Sequence, residues 1–137
     1  MKQLILSLTL LLFAAGLLAQ NSANEKAIQE ETAALVALYK LDEAQAEKML
    51  VIQQRRFRNL AEIETLKSKD EVMYLQKMKS IRKGTEASIK RMLNTEQLSI
   101  LNTQIAERRK LESDLVKEMR LKGASKEEIQ LALLGLE

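Results

Sequence analysis

The chain has 137 residues with no cysteine and no histidine, and its 22 Lys and Arg against 19 Asp and Glu leave a formal charge of +3. Those counts exclude disulfides, thiol nucleophiles, thiolate metal centres and imidazole general bases or ligands. The charge is also too balanced to argue for nucleic acid.

The chain opens on an address rather than on structure. Met1 and Lys2 make a short basic start, Leu4 to Leu18 is a nearly continuous apolar run, and Ala19 is a small residue before Gln20. This is the pattern of a cleaved secretory signal, and the run is shorter than the ~20 residues a membrane-spanning helix needs. Leu17, three residues before the cut, is bulkier than usual there. The expectation is export, with residues 1–19 a signal peptide, 20–137 one domain, and no stable membrane insertion. With no cysteine, no lipid can be attached through a thiol.

Beyond Ala19 there is no proline, and the glycines are Gly84, Gly123 and Gly135. Ala, Leu, Glu, Lys, Arg and Gln dominate, which are the strong helix formers, so the class expected is all-α. Tyr39, Phe57 and Tyr74 are the only aromatics after the leader. That is thin for one compact core, so packing must rest on aliphatic stripes and on a second subunit.

Capping signals divide the chain into helices at 24–40, 43–67, 69–92, 95–122 and 126–135. Leu41-Asp42-Glu43-Ala44-Gln45 is a capping box: Asp42 accepts from the first-turn amides while Gln45 reaches back. Leu93-Asn94-Thr95-Glu96-Gln97 repeats it 52 residues later, with Leu93 placed to staple onto Leu98. Ser68 with Glu71 and Ser125 with Glu128 read as two further boxes, and Gly123 as a helix stop.

The second helix spreads Ala46, Met49, Leu50, Ile52, Phe57, Leu60, Ile63 and Leu66 over about half its circumference, wider than the roughly 100° of one packing face. One intramolecular and one intersubunit contact are expected from it. The third carries a stripe of Tyr74, Met78, Ile81, Thr85, Ser88 and Met92. On the fourth, Leu98, Leu101, Ile105, Leu115 and Met119 share a face with Arg108 and Glu112.

Charge is less evenly spread than its total. Lys48 to Ala61 holds Lys48, Arg55, Arg56 and Arg58 with no acid; Val72 to Thr95 holds Lys77, Lys79, Arg82, Lys83, Lys90 and Arg91 against Glu86 alone. An antiparallel hairpin turning near Ser68 sets residue 55 opposite about 81 and merges the two runs. Such a band is either a solvated face or an amphiphilic surface for acidic or unfolded polypeptides. Arg56, Arg82, Arg108 and Glu112 fall inside apolar stripes, and burying them unpaired is costly. Either they pair, with Glu64 and Glu112 as candidate partners, or the stripes open to water there. No phosphate loop, serine elbow, acidic calcium loop or aromatic-interleaved basic patch appears, which argues against an enzyme, a metal site, a cofactor and nucleic acid.

LDEAQ (Leu41, Asp42, Gln45) and LNTEQ (Leu93, Asn94, Gln97) resemble the twice-repeated Leu-Thr-x-x-Gln motif of the Spy/CpxP family of periplasmic stress proteins, with Asp42 and Asn94 in place of threonine. The resemblance spans roughly residues 24–122. It implies an elongated, curved bundle of four to five helices in hairpins, pairing into an antiparallel cradle-like homodimer in the periplasm. It further implies an ATP-independent chaperone of the envelope stress response, holding unfolded or partly folded envelope proteins on a basic, partly apolar surface. On this chain that surface falls on Arg55, Arg56, Arg58, Lys77, Lys79, Arg82 and Lys83, with Met49, Ile52 and Met78 as the apolar contacts. Zinc, which some relatives hold through histidines, is not expected here. The alternatives are a regulatory adaptor that docks on an envelope sensor kinase and a purely structural helical protein.

Overall fold

The computed structural model describes residues 24–136; the leader reading lies outside them. Five α-helices and no strand occur among these residues: α1 at 24–39, α2 Glu43–Ile63, α3 Glu71–Met92, α4 Thr95–Leu121 and α5 Lys126–Leu134. The all-α class is therefore as the composition requires. None of these helices is long and apolar enough to cross a membrane.

Most boundaries follow from single side chains. Asp42, Asn94 and Ser125 each accept the backbone N–H three residues on, and Gln45, Gln97 and Glu128 reciprocate, completing three capping boxes. At α3 the expected Ser68 cap gives way to Asp70, whose carboxylate accepts from Met73 N at 2.9 Å. The displacement follows from α2: it ends at Ile63 rather than running on to 67, and Glu64–Leu66 tighten into a 3-10 turn. Asp70 N then closes back on the Leu66 carbonyl at 2.7 Å.

Two helices end by left-handed closure. After α4, Gly123 adopts φ 77 and its N–H bonds the Arg120 carbonyl, while Ala124 N bonds that of Met119. After α1 the same pattern is built on Lys40 at φ 52, with Leu41 N on the Val36 carbonyl. A lysine here lacks glycine's freedom, and the left-handed region costs a side-chain-bearing residue about 1 kcal/mol.

The chain runs as antiparallel neighbours. Gln45 at the start of α2 meets Met92 at the end of α3, and Gln97 near the start of α4 meets Lys40 at the end of α1. At this end Tyr39, Met49, Ile89, Leu93 and Leu101 form the buried cluster, with Leu35, Leu41, Ile52, Met92, Leu98, Ile100 and Ile105 packed around it. Leu93 and Leu98 thus both join the core across the cap. At the other end α5 contacts both α4 and α3, and its Leu134 is buried.

The wide apolar face of α2 is only partly covered within the subunit: Met49 and Ile63 are buried, while Leu50, Ile52, Phe57, Leu60 and Leu66 are half-buried. It packs on α3, reaches α1 through Arg56 to Glu31, and reaches α4 through Gln45 to Gln97.

Candidate functional site

The two repeated motifs meet. Gln45 Nε2 donates to Gln97 Oε1 at 2.8 Å, and Gln97 Nε2 donates back to Gln45 Oε1 at 2.9 Å. The remaining Nε2 protons go to the Met92 carbonyl (2.8 Å) and the Lys40 carbonyl (3.2 Å). Each Oε1 also accepts a cap amide, from Asp42 N at 3.1 Å and Asn94 N at 3.0 Å. Both donors and both acceptor directions of each amide are filled. Every partner is the other's equivalent 52 residues away, so the clasp has local two-fold pseudosymmetry. This is why the motif ends in glutamine: glutamate lacks the donors, and asparagine lacks the reach. The same offset relates buried Met49 to buried Leu101, and Arg56 to Arg108. The clasp residues are structural; they fix where α2 starts relative to the end of α3.

Beside the clasp, α2 and α3 enclose a groove of about 480 Å³ open to solvent. Val51, Ile52 and Met92 form its apolar wall; Lys48, Arg55 and Arg91 rim it, with Glu47 the one acid. Val51 is 63% exposed, where Met49 and Ile63 of the same helix are buried. Arg55 Nη2 donates to Ser88 Oγ at 2.7 Å, bridging the helices. It lands on Ser88 rather than near Ile81 because helical side chains slope toward their own N-terminus, which on α2 points to the end of α3.

The expected single basic band separates into three. Arg55 and exposed Arg58 stand on the groove side of α2, and on a 3.6-residue wheel Lys77 and Arg91 lie within roughly 60° of Ser88. Lys79, Lys83 and Lys90 lie roughly 180–220° from Ser88, on the opposite flank of α3. Arg56 and Arg82 face inward. Met49 has no exposed surface, so it belongs to the core and not to any client contact. Ile52 and Met78 are half-buried, Ile52 on the groove.

The three inward arginines meet carboxylates, though not Glu64 or Glu112. Arg56 bonds Glu31 on α1 and stacks over the Phe57 ring at 5.4 Å. Arg108 donates to Glu86 Oε2 at 2.7 Å, and Arg82 lies 4.0 Å from the same oxygen. All three arginines, with Glu86, Tyr39 and Gln104, line a smaller cavity of about 160 Å³ floored by Ile89, Leu101 and Ile105. The Tyr39 hydroxyl donates to Gln104 Oε1. Burial, and secondarily the Glu86 charge, raises its pKa above the ordinary 10.0.

Sequence reasoning missed Val51, which lies off the apolar arc of α2, and the fully buried Gln53, one turn from Met49 on the core face. Gln53 was visible there as a polar residue between Met49 and Arg56. Its amide finds the Met49 sulfur at 3.8 Å and the Arg56 guanidinium at 3.5 Å. Among the described residues no three acidic side chains gather to hold a metal ion. Compared with protein-family models, with curated proteins and with solved structures, the chain has no match.

Proposed function

We propose that this protein is an exported, ATP-independent chaperone of the periplasm, similar in kind to the Spy/CpxP proteins, that holds unfolded or partly folded chains against aggregation. The observation carrying this reading is the α2–α3 groove, where an open aliphatic wall of Val51, Ile52 and Met92 sits under a rim of Lys48, Arg55 and Arg91. Such a surface attracts acidic segments at long range and then offers weak, non-directional apolar contact. Weak contact suits a holder, because a client must leave to fold. Homodimerisation, which the family resemblance implies, belongs to the same proposal. No catalytic residue, metal or cofactor is part of it.

The test is suppression of aggregation of a reduced, unfolding protein by residues 20–137, without nucleotide. Stoichiometric suppression is expected at low salt. It should weaken as salt rises, because exposed charges are screened beyond ~10 Å at 0.1 M. The double variant Arg55→Ser/Arg91→Ser should lose most of it. Absence of suppression at every ratio would overturn the chaperone reading and turn the search to one envelope partner, as a sensor-docking adaptor would require.

A further inference from the structure

A second site, partly open to solvent, lies where α2, α3 and α4 meet, apart from the groove and independent of its role. Arg56 on α2 and Arg108 on α4 occupy equivalent positions of the 52-residue repeat and line one cavity from two sides, with Arg82 of α3 a third wall. Glu86 is the sole carboxylate among the lining residues. Arg56 donates to Glu31 and Gln53, and Arg108 to Glu86, while a guanidinium carries five N–H donors in a fixed fork. Gln104 adds its amide to the rim, while its Oε1 is taken by the Tyr39 hydroxyl.

We propose that this cavity binds a carboxylate group, held between the Arg56 and Arg108 guanidiniums over the floor of Ile89, Leu101 and Ile105. Shape and hydration favour that chemistry. A carboxylate presents two equivalent oxygens in one plane, the arrangement that a guanidinium fork engages bidentately. The volume, about 160 Å³, suits the head of such a group and not a folded partner. The apolar floor makes each retained contact stronger than at an open surface, yet penalises a more strongly hydrated dianion such as phosphate. Glu86 Oε2 already lies 2.7 Å from Arg108, so an incoming carboxylate engages other N–H groups of that fork. The ligand is either a small free acid or the terminus or acidic side chain of a polypeptide; the binding group is the same.

The experiment is an NMR titration of arginine side-chain Nε–Hε signals with sodium acetate, against sodium chloride at matched ionic strength. Saturable shifts of Arg56 and Arg108 with acetate alone are expected. Arg108→Lys, which keeps the charge beside Glu86 but loses the fork, should weaken acetate by about tenfold. Arg56→Lys serves as a second variant should the first unfold, and Arg58→Lys on the exposed face should change nothing. An acetylated peptide with a free terminus that competes with acetate, where its amidated form does not, assigns the source to polypeptide. A free-terminus peptide that fails to compete assigns it to small acids. Equal response to acetate and chloride, tighter binding of inorganic phosphate, or unaltered acetate binding in folded Arg108→Lys would each overturn the site. None of these readouts uses a client, so failure of aggregation suppression leaves them unaffected.

Discussion

The two ends of this bundle are built on different principles. At the clasp end, four helices converge on Tyr39, Met49, Ile89, Leu93 and Leu101, and paired glutamines close every backbone group they reach. At the far end, where α5 folds onto the start of α3, burial is confined to side chains such as Ile63 and Leu134. Val72, Met73, Leu111, Leu121 and Leu131 remain 40–81% exposed there. The contrast teaches that a chain with few aromatics can still be firm if it concentrates its packing. The groove sits beside the firm end, so its walls are held in register while its surface stays open.

The largest expected effect breaks the firm end by truncation. Met49→Ala should cost about 2–5 kcal/mol, because a fully buried side chain is replaced by a cavity. Leu121→Ala, at a residue 81% exposed, should change stability by no more than about 0.5 kcal/mol. Urea unfolding of the two variants measures both. Equal costs would mean that the ends are packed alike.

Gln97→Glu should come next, at about 2–3 kcal/mol, since the Lys40 carbonyl loses the Gln97 donor, Gln45 Oε1 keeps only the Asp42 amide, and the new carboxylate faces that oxygen. In a double-mutant cycle, Gln45→Ala and Gln97→Ala should couple by at least about 0.5 kcal/mol. Additive losses would dissolve the clasp as a unit. Lys40→Gly should act in the opposite direction. Relief of the left-handed strain at φ 52 exceeds the added chain entropy of glycine, for a net gain of up to about 0.5 kcal/mol seen as a raised Tm.

The smallest effect is with pH. The folded-state pKa of Tyr39 is raised, so the protein favours the protonated phenol. Its contribution is fully present below the unfolded value near 10.0 and is lost as pH rises through the folded value. Stability should therefore decline above about pH 10 more steeply in the parent than in Tyr39→Phe. Matching slopes would place Tyr39 in contact with water.

Much of this was legible because helix ends are local. Asp42, Asn94 and Ser125 announce their caps through residues three positions away, and the structure uses all three. Ser68 failed as a cap because the end of α2 was decided by the 3-10 turn at Glu64–Leu66, which no spacing rule marks. Partners across the bundle were less legible. The two motifs could be seen to repeat, but not that each glutamine would reach the other's preceding helix. Arg56 and Arg108 could be seen to need acids, yet Glu31 and Glu86 were chosen by helix register rather than by sequence distance. The basic runs misled for a similar reason: a run of lysines along a helix circles its axis, so closeness in sequence put Lys77 and Lys79 on different flanks.

The most direct measurement is methyl NMR of the protein titrated with a permanently unfolded, reduced and alkylated polypeptide at low salt. The account predicts shifts at Val51 and Ile52 on the groove, with Ile89 and Leu101 in the core and Leu121 at the far end unmoved. Shifts confined to Leu121 and Leu131, or none at any ratio, would contradict it.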